Sequence, residues 1–308
     1  MGKSPAVVMA DRVAVALILA SLLCLSVFDS RAAEVLATLD YRILPEASGL
    51  AVSAFDERRI WFLNDSGNRA ELIAYDLASD SYTRVKIAGV ENRDWEDLAV
   101  FKHRGTPWLA IGDVGDNNAR RREVEVYLLP EPRPGITKSV VHTTLTLRYP
   151  DGPRDVESLA VDTVNNALYL LSKRDRFPHL YRVDMPPLGE EKTYSVTAEL
   201  LGELRSIPAP GSAEIASHRY GRHRAQPTAM TLLPDGSAIA LMTYRGAYLA
   251  ELHSDRNWLQ ALNESLCPVD TPVLVQGESI AADAQRRLYL TSEGRAAPLL
   301  RLPALCAE

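Results

Sequence analysis

Cysteine and histidine are scarce in this chain of 308 residues, with three and six copies respectively, and they form no cluster. That absence removes the usual zinc sites. Serine chemistry is equally poorly served: Ser48-Gly49 and Gly211-Ser212 lack the G-x-S-x-G elbow, and no Ser/His/Asp order stands out. There is no phosphate loop and no dinucleotide fingerprint, since GDVGDN at 112–117 lacks G-x-G spacing and precedes a strand instead of a helix. Runs of Lys or Arg interleaved with aromatics are missing and the net charge is −6, so nucleic acid is not an expected partner. The short basic stretch 218–224 reads as a solvated loop.

Long apolar runs are also missing, with one exception. Lys3 and Arg12 lead into VAVALILASLLCLSVF at 13–28, and Ser30-Arg31-Ala32 supplies small residues for a signal peptidase. Residues 1–32 are therefore expected to be a cleaved signal peptide, with a retained anchor as the alternative. Cleavage removes three basic residues (Lys3, Arg12, Arg31) and two acidic ones (Asp11, Asp29), taking the formal charge from −6 to −7. No transmembrane helix is expected in the mature chain, which would be periplasmic or secreted. It keeps Cys267 and Cys306, and in an oxidising compartment an even count favours a disulfide over two buried thiols.

What the chain does have is a repeat. Leu50-Ala51, Leu98-Ala99, Leu159-Ala160, Met230-Thr231 and Ile280-Ala281 align, each followed by a second apolar run ending in a polar turn: IWFLNDSGN, WLAIGDVGDN, LYLLSKRD, IALMTYR and LYLTSEGR. Copies are spaced by about fifty to seventy residues, the mark of a propeller of four-stranded blades. Each blade exposes an apolar face that only its neighbour covers, so residues 33–308 form one domain. The fold class is all-β, a β-propeller of five blades, with six as the alternative because 206–226 shows no clear periodicity.

Residues 34–43 have no partner in their own repeat and are expected to close the ring as the outermost strand of the last blade. Residues 194–204 are expected as the outer strand of blade 3 and 271–276 as that of blade 4. A helix is expected after Ser254 as N-cap, with Trp258, Leu259, Leu262 and Leu266 on one face. Trp61, Trp95 and Trp108 read as blade-packing residues.

At DWED, GDVGDN, YPDGPRDVES, PDG with TYRGAYL, and QGES with TSEG, the chain resembles a family of secreted bacterial β-propellers labelled WD40-like or NHL-like. The likeness spans residues 47–303. It implies a propeller fold and export, and carries no settled activity. Ser48 and Thr228 stand where other blades place Glu96, Glu157 and Glu278, so the acidic ring is incomplete.

In a propeller the start of each innermost strand and the turn between strands two and three share one face of the channel. Glu96, Glu157 and Glu278 would stand at its mouth, ringed by Asp65, Asp113, Asp116, Asn117, Lys173, Arg245 and Glu293. Two bare carboxylates about 5 Å apart repel by roughly 3 kcal/mol at an effective dielectric near 20, so crowded acids need a counter-charge or a proton. A hard cation answers that need, and oxygen-only ligands select calcium. The expected metal set is Glu96, Glu157, Glu278, Asp113, Asp116 and Asn117; Asp65, Lys173, Arg245 and Glu293 are expected to contact a ligand. The alternative role for the glutamates is to accept N–H groups of the neighbouring blade, and for Lys173 and Arg245 to be ion-pair partners.

Two functions follow. One is an exported binding propeller that holds calcium at its mouth and engages a small-molecule or protein ligand on that top face. The other is a metal-assisted hydrolase of an ester, lactone or phosphoester, with Glu96 or Glu157 as ligand or base and Lys173 or Arg245 stabilising negative charge.

Overall fold

Each apolar strand pair of the repeat becomes the innermost hairpin of its own sheet. The computed structural model describes residues 33–189 and 191–307; the expected signal peptide lies outside them. Blade 5 carries β1 (Glu34–Thr38) as its outer strand, and blade 1 contains β2 (Ala47–Val52), β3 (Arg59–Asn64), β4 (Glu71–Asp76) and β5 (Ser81–Ala88). Blade 2 contains β6 (Trp95–His103), β7 (Thr106–Asp113) and β8 (Val124–Pro130). The intervening β9 (Lys138–Val140) crosses back to blade 1, and β10 (Thr143–Arg148) completes blade 2. Blade 3 follows with β11 (Val156–Asp162), β12 (Ala167–Ser172) and β13 (His179–Asp184). Then β14 (Lys192–Thr197) joins blade 2 and β15 (Glu199–Glu203) finishes blade 3. Blade 4 holds β16 (Pro227–Leu232), β17 (Ala238–Thr243), β18 (Gly246–Glu251) and β19 (Cys267–Pro268). Blade 5 holds β20 (Gly277–Ala282), β21 (Arg287–Ser292) and β22 (Pro298–Pro303).

Five sheets thus form a ring, with β2, β6, β11, β16 and β20 in cyclic contact around the channel. The core is divided accordingly. Trp61, Leu63, Trp95 and Ile111 fill the space between blades 1 and 2, and Leu128, Leu159 and Tyr181 that between blades 2 and 3. Tyr169, Leu241 and Trp258 fill the next interface, Met242, Leu288 and Leu300 the one after. Leu50, Phe62, Tyr289 and Leu299 close the ring between blades 5 and 1. The three tryptophans assigned to packing are all buried.

The N-terminal strand closes the ring as expected, β1 pairing antiparallel with β22 from Glu34↔Arg301 to Thr38↔Pro298. Cys267 and Cys306 are bonded, with Cα atoms 5.6 Å apart. Three expectations need correction. Residues 194–204 are not one strand: the chain breaks at Ala198, β14 running parallel to β10 on blade 2 while β15 alone edges blade 3. Residues 271–276 form no strand, because β19 already occupies the edge of β18. The helix is Trp258–Glu264 (α2), capped by the Asn257 side chain and not by Ser254. The stretch 206–226 holds no blade. It carries the short helix Ser212–Ser217 (α1) and a 3-10 turn at Gly221–His223. Among the described residues no helix is long and apolar enough to cross a membrane.

Candidate functional site

The same irregularity begins every inner strand. Pairing slips by one residue between Ala47 and Gly49, Trp95 and Asp97, Val156 and Ser158, Pro227 and Ala229, and Gly277 and Ser279. A β-bulge leaves one residue unpaired and re-aims its side chain. The five bulged residues are Ser48, Glu96, Glu157, Thr228 and Glu278, the ring marked by the repeat. Where the bulge holds a hydroxyl it staples the ring: Ser48 Oγ donates to the Trp95 carbonyl and Thr228 Oγ1 to the Gly277 carbonyl, both at 2.8 Å. A glutamate has no proton to give there when ionised, and the three acids turn to the mouth.

Their environments differ. Glu278 accepts hydrogen bonds from Tyr244 Oη at 2.5 Å and Gln276 Nε2 at 3.0 Å, and faces Lys173 Nζ at 3.8 Å. Glu157 is ion-paired with Lys173. Glu96, only 4% exposed, has no hydrogen-bond or ion-pair partner among the described residues. Its carboxylate meets those of Asp65 and Asp94 on one side and Asp155 and Glu157 on the other, each trio lying within 4.8 Å of one another. Asp155 is partly compensated, accepting the Asp116 N–H at 2.8 Å and pairing with Arg174. Among the described residues no cation pairs with the Asp65–Asp94–Glu96 side, and one Asp94 oxygen is buried without a partner.

The electrostatics follow. Burial, then the Asp65 charge, pushes the Asp94 carboxyl up to about 7. Burial, then the Glu157 and Asp65 charges, drives Glu96 well above the usual range. Burial raises Glu157 against the pull of Lys173. Burial also opposes the Lys173 ammonium, but Glu157 and Glu278 outweigh it and keep the amine protonated. Burial, then Glu278 and Asp65, lifts Glu293 to about 8. Carboxylates 4.8 Å apart repel by roughly 3.5 kcal/mol at an effective dielectric near 20, which protonation or a counter-charge would relieve.

Of the residues expected at the mouth, Asp65, Glu96, Glu157, Glu278, Lys173 and Glu293 do gather there. Asp113 turns away to Arg121 at 2.8 Å. Asp116 contributes its N–H to Asp155 while its carboxylate accepts the Arg121 N–H at 2.6 Å. Asn117 bonds Arg174. Arg245 is held by Glu214 of α1 at 2.8 and 2.9 Å. Asp94 and Asp155 were not anticipated, although D-x-E spans both strand starts, Asp94-Trp95-Glu96 and Asp155-Val156-Glu157. Asp97 was missed as well. It has no exposed surface, and its carboxylate accepts the N–H groups of Leu98, Leu159 and Met230 at 2.8, 2.7 and 3.1 Å. Blades 2, 3 and 4 meet on that one group.

Fold and site together define a five-bladed β-propeller with an acidic, partly uncompensated channel mouth. No family model matches the chain and no curated protein matches it. Among solved structures it is similar to luciferin-regenerating enzyme, at TM-score 0.50 and 11% identity over 89% of this chain and 95% of that one. It also matches the major allergen Mala s 1 of Malassezia sympodialis (TM-score 0.49, 13% identity, 88% and 93% covered). A third match is the soluble aldose sugar dehydrogenase of Escherichia coli (TM-score 0.43, 11% identity, 88% and 98% covered). At such identities the likeness is one of fold.

Proposed function

We propose that this protein is an exported binding propeller whose channel mouth holds a divalent cation, calcium by its ligand chemistry, and engages a small-molecule or protein ligand on that face. The observation that carries this reading is Glu96, buried to 4% exposure without a partner among four other carboxylates. Asp65, Asp94 and Glu96 are the proposed ligands, with Asp155 and Glu157 completing the set. An all-oxygen donor set suits a hard cation of six to eight ligands. The disulfide and the apolar stretch behind Lys3 and Arg12 support export.

Calorimetric titration of the mature chain tests the site. Calcium is expected to bind and to raise the melting temperature reversibly with chelator, because a ligand of the folded state stabilises by mass action. Glu96→Gln should weaken binding at least about tenfold, since it removes a charged ligand. A wild-type melting temperature indifferent to both calcium and chelator would sink the cation.

A second reading is favoured by Arg174, whose side chain is 41% exposed while it pairs with Asp155. A fixed guanidinium beside the cation would stabilise an oxyanion, as hydrolysis of an ester, lactone or phosphoester requires. Calcium-dependent turnover of chromogenic substrates, lost in Arg174→Met, would favour the hydrolase over simple binding.

A further inference from the structure

The far end of the channel, where the inner strands finish, opens into a cavity of about 530 Å³ to which all five blades contribute. None of the mouth acids lines it. Asp97, whose neighbour Leu98 lines the cavity, ties the inner strands of blades 2, 3 and 4 together through its three N–H donors. The cavity's volume falls in the usual range of small-molecule sites.

The wall is drawn from the ends of the five inner strands and from turns that follow them. Ser53, Leu233 and Asp283 donate their N–H groups into their own hairpins, to Arg59, Ala238 and Arg287, at 2.9, 2.9 and 3.0 Å. Because antiparallel pairing alternates, the peptide groups of the preceding residues, Val52, Leu232 and Ala282, face the channel. The repeat places Val100 and Val161 alike. These donors and acceptors need partners, which an apolar occupant would deny them. Charge in the wall is largely balanced, Lys102 being the lining cation without an ion pair among the described residues. The rim carboxylates are matched, Asp56 by Arg58 at 2.8 Å, Asp162 by Arg256 at 2.6 Å, Asp235 by Arg286 at 2.8 Å and Asp283 by Arg287 at 2.6 Å. With Glu57 facing Arg287 at 3.4 Å, no lining carboxylate is left unpaired to attract a cation. Phe55 stands at the rim, 37% exposed, with Arg133 5.0 Å from its ring centre.

We infer that this cavity binds a neutral polyhydroxylated molecule, a sugar of one or two rings. Its hydroxyls exchange hydrogen bonds with the peptide edges of the five strands, and its C–H face lies on Phe55. The site is separate from the cation mouth and independent of it.

The test uses the mature chain with glucose and trehalose as probes, followed by calorimetry and saturation-transfer NMR. Gluconate, tetramethylammonium and cyclohexanol are the anionic, cationic and apolar controls. The neutral sugars are expected to bind, unaffected by chelator or by Glu96→Gln. Phe55→Ala should weaken them about fivefold through loss of the aromatic face. Ala284→Trp, an exposed position on the rim, should block access. If Phe55→Ala also lowers the melting temperature, Ala284→Trp decides alone. The inference is overturned by failure of every neutral sugar to bind at millimolar concentration, by a control that binds better, by loss of binding in Glu96→Gln, or by binding that survives Ala284→Trp.

Discussion

At Gly115 a Cβ would fall on the Glu96 Oε1 and 2.6 Å from the Asp94 Oδ2. The bare backbone there is what lets two carboxylates share the mouth. Gly115→Ala is therefore expected to lower calcium affinity about tenfold by displacing proposed ligands, with the circular-dichroism spectrum of the fold retained. Glu293 reports on the same crowding by pH. It keeps its proton up to about 8 in the folded chain, against 4.5 as its ordinary value. Folding then takes up a proton between those limits, so this contribution is intact below the lower pKa and declines as pH climbs to the higher one. In calcium-free buffer, Glu293→Gln should gain melting temperature over wild type from about pH 5 to about pH 8. Parallel curves would contradict the shift. The repeat made the glutamates visible because they recur in register. Asp94 and Asp155 escaped because each precedes its strand and the aligned residues of the other blades, Glu46, Gln226 and Gln276, do not repeat the aspartate. Asp97 escaped because its equivalents are Gly49, Ser158, Ala229 and Ser279.

Elements were legible in proportion to the side chains they bury. All ten strands of the inner hairpins are apolar runs and emerge from the sequence within two residues of their observed limits. Outer strands bury less: β14 is mostly exposed, β9 has three residues and β19 two. Their placement is decided by which edge is free, a property of the assembled ring. The helix shows the same limit at a smaller size. Trp258 stacks on Tyr169 at 3.9 Å and donates to Asp162 at 3.0 Å, which fixes where α2 begins and makes Asn257 its cap. Asn257→Ala should cost about 1 kcal/mol in denaturant melts, and Ser254→Ala within about 0.5 kcal/mol of nothing. Equal effects would return the cap to Ser254.

The ring as a whole is held at two seams. The Cys267–Cys306 bond joins the edge of blade 4 to the tail that follows blade 5, beside the Val269↔Cys306 bridge. Its two halves are 39 residues apart, a closure worth up to about 4 kcal/mol by chain entropy. Cys267→Ser should lose stability on that scale, and thiol labelling of the unreduced, denatured protein should find no reactive sulfur. Two labelled thiols per chain would dissolve the seam. The other seam is β1 against β22, and it sets an order in time. Glu34 and its partner Arg301 are 267 residues apart, so the strand made first is paired last. Until synthesis reaches blade 5, Leu299 and Tyr289 are missing from the interface where Leu50 and Phe62 wait, and the nascent chain carries an open flank for most of its growth.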